Sequence, residues 1–247
     1  MREVALADHE SVGAYTRDGG RLAQRAAEVG VRLVPAIEID TELRGHELHL
    51  LGHRVDPFHP QLQAHCARVQ EQRRARLTEE LAQLTARLGP VVDPAAVFLP
   101  ERETVMRPHL IAPLLEQGLF ADYPSAARWL KANLRPTVQV SRLELPAAIA
   151  LIHAAGGQAT LAHPGYGVVE GWLDPERDLP ALAALGLDAV EIEYPYALCS
   201  PHLFDLAREQ DVIARLRAVA ARCGLAETAG SDSHRREEFL TRWAVVR

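Results

Sequence analysis

Six segments of this chain place an imidazole or a carboxylate within or just past a short apolar run. Val4-Ala5-Leu6-Ala7 leads into Asp8 and His9, and Leu33-Val34-Pro35-Ala36-Ile37 leads into Glu38. His49 lies inside Leu48-His49-Leu50-Leu51-Gly52, and Ala159-Thr160-Leu161-Ala162 leads into His163 and Pro164. Glu191 and Glu193 alternate in a fifth run, and the last run, 225–229, leads into Gly230-Ser231-Asp232-Ser233-His234. Barrel-like α/β folds carry their chemistry at the C-terminal ends of strands, and imidazoles with carboxylates are the ligands a divalent metal takes. Asp232 and His234 share one face of an extended segment, although Asp232 also suits a turn. Glu38, directly after four apolar residues and a proline, is partly buried and must be paired or metal-bound. Glu191 and Glu193 also share a face; they either line the pocket or are solvated and salt-bridged, so they stay outside the metal set.

Strand-like and helix-like runs alternate through much of the chain. Strands are expected at 4–7, 32–39, 47–51, 158–162, 189–193 and 225–229, and helices at 20–29, 145–155, 179–185 and 201–222. Between 57 and about 136 the periodicity is helical and no strand is evident; Val69, Leu77, Leu81, Leu84 and Leu88 mark one helical face, ended by Gly89-Pro90. Ser141 and Glu144 have capping-box spacing ahead of the 145–155 helix. The expected architecture is α/β with a parallel sheet, its core in 1–56 and 137–247 and a helical insertion at 57–136.

The 247 residues carry a net charge of −6, which argues against general nucleic-acid binding driven by phosphate neutralisation. Cys66, Cys199 and Cys223 form no CxxC pair, so a thiolate zinc knuckle or disulfide framework is not expected and a cytoplasmic setting is. No apolar run reaches the ~20 residues of a membrane span, and the first residues show no signal-peptide pattern. Oligomeric state is not legible.

Asp8-His9-Glu10-Ser11, Pro35-Ala36-Ile37-Glu38-Ile39, His49-Leu50-Leu51-Gly52-His53, Leu161-Ala162-His163-Pro164-Gly165 and Gly230-Ser231-Asp232-Ser233-His234 stand in an order that resembles PHP-domain (polymerase and histidinol phosphatase) metal-dependent phosphoesterases. Arg107-Pro108-His109-Leu110-Ile111-Ala112 resembles an insertion motif of the stand-alone branch. The resemblance implies a distorted (β/α)7 barrel. Relatives open on a strand with His-x-His and then an Asp; neither occurs here, so the expectation is a six-stranded barrel lacking its first βα unit, about 30 residues.

The same resemblance implies a metal set of His9, Glu38, His49, His163, Asp232 and His234, binding up to three Zn, Mn or Fe ions in intact relatives. Glu38, His49 and His163 would complete one position. His9 and His234 would serve a second, and Asp232 a third bridged by Glu38, both short of ligands. A metal-activated water would be the nucleophile, with no side-chain base assigned. Arg107 and His109 are the phosphate-contact candidates, with Arg135 and Arg142 behind them; for Arg107 an ordinary ion pair is the open alternative. The other histidines and the run Gln72-Arg73-Arg74-Ala75-Arg76 are read as structural, the latter as a solvated helix face. Two functions compete: a phosphoesterase of small phosphorylated molecules or nucleotides, weakened by the missing strand, and a non-catalytic metal-binding or scaffolding remnant. An amidohydrolase-type site ranks behind both, because no Lys is placed to bridge metals.

Overall fold

Seven strands form one mixed sheet in the computed structural model, which describes residues 3–243. They are β1 (Glu3–Leu6), β2 (Arg32–Leu43), β3 (His46–His53), β4 (Leu143–Glu144), β5 (Gln158–Leu161), β6 (Ala189–Glu193) and β7 (Ala226–Ala229). The order across the sheet is β1-β2-β3-β5-β6-β7, with β4 paired to the far end of β2. Residues of β1 and those following β7 line one cavity, so the sheet curls until its two ends face each other.

The expected all-parallel sheet is corrected by β3, which runs antiparallel to both β2 and β5. The physical reason is the connection. Only Arg44 and Gly45 separate β2 from β3, and a parallel crossover needs a dozen residues or more. Both turn residues have positive φ, 53° and 83°, as a tight hairpin requires. The hairpin also extends β2 to Leu43, so Glu38 and His49 lie inside strands rather than at their ends.

Twelve α-helices are described, with a short 3-10 turn at Arg17–Gly20: α1 (Gly13–Thr16), α2 (Arg21–Glu28), α3 (Pro60–Leu88), α4 (Pro94–Val97), α5 (Pro108–Glu116), α6 (Tyr123–Asn133), α7 (Leu145–Ala154), α8 (Gly165–Glu170), α9 (Pro175–Ala184), α10 (Tyr196–Cys199), α11 (Leu206–Cys223) and α12 (Arg236–Trp243). The expected capping box of Ser141 and Glu144 does not form. The Ser141 amide and hydroxyl both donate to Gln72 Oε1, at 2.9 and 2.8 Å, and Glu144 caps α7 without a side-chain bond. A long-range partner on α3 outcompetes the local one. A reciprocal box is present instead at Asp122 and Ser125, where it starts α6. No described helix is long and apolar enough to cross a membrane.

Two apolar cores result. One joins the sheet to α7, α9 and α11 through Ile37, Leu50, Ile152, Val190 and Leu216. The other lies among α3 to α6 and includes Leu77, Leu84, Leu110, Ile111 and Leu130. α3 belongs to both: Leu62 and Cys66 near its start pack on the sheet core, and Leu77 to Leu84 on the helical one. Leu88, expected on that face, is exposed. Glu80, fully buried on α3, ties the helical core together by accepting a bidentate pair from Arg107 (Nη2 at 2.8 Å) and a bond from Arg76. Glu80→Ala would leave the partly exposed Arg107 without its carboxylate partner. The expected loss is about 1–3 kcal/mol in urea unfolding, and an unchanged midpoint would show that the pair contributes little.

Candidate metal centre

The curled sheet delivers one imidazole from each of three strands to a single carboxylate. Glu38 points from mid-β2 and is 6% exposed. His49 sits on the neighbouring strand, diagonal to Glu38 and directly opposite Asp40 in the register. His9 follows β1 and forms a parallel bridge with Glu38, their backbones bonded through Glu38 N to Asp8 O and Glu10 N to Glu38 O. His163 follows β5 with φ of 29°, a left-handed conformation that a residue preceding proline seldom adopts. Gly165 continues that turn. Its amide donates to the Tyr196 hydroxyl at 2.9 Å, and a Cβ there would stand 2.5 Å from the Tyr196 ring.

Around Glu38, His49 Nδ1 lies 2.7 Å from Oε1, His163 Nε2 3.6 Å from Oε1 and His9 Nε2 3.6 Å from Oε2. The His9 and His49 rings meet edge-on at 5.0 Å, as do those of His49 and His163 at 5.2 Å. Burial alone would push the Glu38 carboxyl up, but His163, His49 and His9 together hold it well below the usual carboxylate range. Conversely, burial pulls His49 down while Glu38, Glu47 and Asp40 lift it well above an ordinary imidazole. His49 Nδ1 is buried and, despite its closeness to Glu38, has no aligned hydrogen-bond partner. An orphaned nitrogen beside a carboxylate oxygen is the arrangement of two ligands turned toward a shared cation. His9, Glu38 and His49 also bring ligand atoms within 4.8 Å of one another. The nitrogen and oxygen donors present therefore fit a divalent transition metal.

A cavity of about 450 Å³ opens beside this cluster, lined among others by His9, Glu38, His163, Asp232, His234 and His109. Asp232, also at positive φ (44°), accepts from the Tyr194 hydroxyl at 3.0 Å. His234 borders the cavity with an exposed ring whose Nδ1 lies 3.1 Å from the Asp232 carbonyl. His109 Nδ1 accepts from the Met106 amide at 2.9 Å, so the neutral ring carries its proton on Nε2. Burial and the nearby Arg102 hold its pKa down to about 4. Arg107 turns its fork to Glu80, and Arg135 bonds the carbonyls of Lys131 and Leu134; neither lines the cavity. Arg142 pairs with Glu47.

The sequence reading does not single out Asp40, leaves Glu191 with two open readings and places Arg73 in a solvated run. Glu191 is buried, lines the cavity and accepts the His163 amide at 3.0 Å, whereas Glu193 pairs with Arg217; the two open readings apply one to each. Burial, with the charges of Glu38 and Asp232, raises Glu191 to about 7 against the pull of His163. Asp40 lies 2.9 Å from His9 Nδ1, and its place two residues from Glu38 was a signal available from strand alternation. Arg73 corrects the reading of its run as a solvated face: it is 6% exposed and bonds Asp40 and Glu10. The signal that separates it from Arg74 is helix phase: Arg73 falls four residues after Val69 and four before Leu77, on the apolar face of α3. At Gly165, a methyl group forces either Tyr196 or the His163 turn to move. Gly165→Ala is expected to destabilise the protein by about 1–3 kcal/mol in chemical denaturation, and an unchanged midpoint would show that the ring yields freely.

No protein-family model matches the chain. It is 30% identical over 244 residues to phosphoribosyl 1,2-cyclic phosphate 1,2-diphosphodiesterase of Eggerthella lenta, covering 95% of this chain and 83% of that protein. It is 28% identical over 234 residues to a 5'-3' exoribonuclease of Haemophilus influenzae, covering 94% and 78%. In fold it resembles a Bifidobacterium adolescentis protein described as a metal-dependent phosphoesterase, with a TM-score of 0.73 at 23% identity over 96% of this chain and 78% of that one. Relatives that cleave phosphate esters thus share nearly the whole of a chain whose curled sheet gathers imidazoles around a buried carboxylate, and the chain belongs to the PHP-domain (polymerase and histidinol phosphatase) family of metal-dependent phosphoesterases.

Proposed function

We propose that this chain hydrolyses phosphate esters of small molecules or nucleotides at a divalent-metal centre held by His9, Glu38, His49 and His163, with Asp232 and His234 contributing from the β7 side. The observation that carries this reading is the Glu38 carboxylate with imidazole nitrogens at 2.7, 3.6 and 3.6 Å, one of them buried without a hydrogen-bond partner. The mixed donor set suits Zn²⁺, Mn²⁺ or Fe²⁺ better than Ca²⁺. We read the sheet as a (β/α)7-type barrel and residues 57–136 as a helical insertion, supported by the separate apolar core among α3 to α6. The cavity volume of about 450 Å³ suits a small ligand. The three cysteines are free, in keeping with a cytoplasmic setting.

A divalent cation at this centre supplies Lewis-acid polarisation of the phosphoryl group and activation of water. The chain's own residues bind and orient around it. Glu38 stays ionised and places negative charge among the ring nitrogens. His109, with its proton fixed on Nε2, donates to a phosphoryl oxygen in the cavity. Glu191 holds the His163 turn through its amide. The walls formed by Leu6, Ala7 and Phe239 limit water beside the ester.

The test is turnover by protein reconstituted with each of the three metals on p-nitrophenyl phosphate, bis(p-nitrophenyl) phosphate, nucleoside phosphates and a short 5′-phosphorylated RNA. Metal-dependent hydrolysis of the small esters is expected, abolished by chelation and in His49→Ala. No turnover with any metal would overturn the proposal, and turnover confined to RNA would replace its substrate class. His109→Ala is expected to lower kcat/KM by roughly 10- to 100-fold, the worth of one hydrogen bond to a charged group, while leaving metal content unchanged. Loss of metal in that variant would instead make His109 part of the metal centre.

A further inference from the structure

His9 is held from outside the cavity by a closed network that reaches into α3. Its Nδ1 lies 2.9 Å from Asp40 Oδ1, on the side of the ring away from Glu38. The other Asp40 oxygen, Oδ2, accepts from Arg73 Nη2 at 2.7 Å. The same guanidinium nitrogen reaches Glu10 Oε2 at 2.5 Å, and Glu10 Oε1 accepts the Asp40 amide at 2.7 Å. Asp40, Glu10 and Arg73 are 8%, 1% and 6% exposed, so these are desolvated contacts. Two more bonds grip the adjoining backbone: Gln70 Nε2 to the Glu10 carbonyl at 2.8 Å, and Thr104 Oγ1 to the His9 carbonyl at 2.7 Å. They hold Glu10 at φ of 41°, an unfavourable value for a non-glycine residue.

We propose that Asp40 and Arg73 are positioning residues for the metal centre, fixing the His9 ring so that a bare Nε2 faces Glu38. The inference rests on His9 being a metal ligand, as proposed above. An imidazole has two nitrogens, and the hydrogen bond at one decides what the other can do. A carboxylate at Nδ1 can only accept, so the neutral ring keeps its proton there and leaves the Nε2 lone pair for a cation. Arg73 then orients Asp40, because it engages the oxygen that His9 does not use. It also settles where a metal goes. His9, Glu10 and Asp40 together would suit a cation, but the guanidinium already sits between the two carboxylates, leaving the Glu38 side of the ring for the metal. A helix outside the sheet thereby becomes part of the support of the metal site.

Asp40→Asn tests this by a reversal of polarity. With Arg73 present, the amide oxygen is drawn to the guanidinium and the NH₂ turns to His9. Nδ1 must then accept, the proton moves to Nε2 and the lone pair toward Glu38 is lost. Zn²⁺ and Mn²⁺ dissociation constants are measured by chelator competition for wild type, Asp40→Asn, Arg73→Met, His9→Ala and Asp40→Asn/Arg73→Met. Ring ¹⁵N NMR of His9 and thermal midpoints of the metal-free proteins accompany them. Asp40→Asn is expected to weaken binding about 10- to 100-fold with its ring nitrogens exchanging protonation. The double variant should recover part of the affinity, because the freed amide can present its oxygen to His9; a purely structural role would make the two losses add. Wild-type affinity in Asp40→Asn with loss in His9→Ala would overturn the inference and leave the ligand role intact. Wild-type affinity in His9→Ala would overturn the ligand role itself. Should the double variant fail to fold, unchanged His9 ring signals in Asp40→Asn overturn the inference alone.

Discussion

Glu38 carries a carboxylate in the middle of a strand whose residues 36 to 41 are all buried. An ion in that position is tolerable only with compensating charge or hydrogen bonds at close range, and isolated it would lose its charge or unfold the strand. Imidazoles from the ends of β1 and β5 and from the middle of β3 supply the compensation. Each is on a different strand, so the carboxylate and the curl of the sheet depend on one another. Flattening the sheet would separate the rings and leave the charge alone. On its opposite face the same strand buries Ile37 and Ile39 fully in the main core, so the electrostatic cluster is backed by packed apolar side chains.

The region around that cluster is acidic beyond what its imidazoles neutralise. Glu10 and Asp40 are buried with Glu38, and Asp8, Glu191 and Asp232 stand along the cavity. The shifts share this origin: Glu10 is raised to about 7 by burial and by the charge of Asp40, with Arg73 opposing. Asp40 is held near 2, because His9 and Arg73 outweigh its burial. Arg73 pulls both carboxyls down, and the His9 hydrogen bond, which only Asp40 has, sets the two apart. A divalent cation at the centre would relieve the remaining repulsion and let an acidic chain hold an anionic phosphoryl group.

Helices α3 to α6 have their own apolar core and are not independent of the site. α3 is long enough, at 29 residues, to lay its first half on the sheet core and its second on the helical one. Between those halves Gln70 and Arg73 reach the His9 segment, and Thr104 approaches it from the loop before α5. The helices thus grip the His9 segment directly, whereas Glu38 and His49 are held by the hairpin ladder.

Local chemistry made much of this legible in the sequence. Apolar runs of four to eight residues located the six main strands within a few residues, and Gly89 and Gly224 marked helix ends because few other residues adopt positive φ there. Residue type and placement drew attention to His9, Glu38, His49 and His163, the family resemblance made them ligand candidates, and the tertiary structure brings these four together. Non-local competition decided the rest. Ser141 had a capping partner three residues away and took Gln72 of α3 instead. Helix phase sets Arg73, between Val69 and Leu77, apart from Arg74 in the same charged run, but only the fold supplies Asp40 as the partner of the first and the Phe98 ring beneath the second. Arg107 reads as a phosphate ligand by type, and the fold aims it at Glu80, 27 positions away. A sequence displays which groups can ionise, ligate or turn the chain. Which partner each one reaches depends on distances that exist only once the sheet has curled and α3 has docked, because a buried charge takes the nearest opposite charge in space, wherever it lies along the chain.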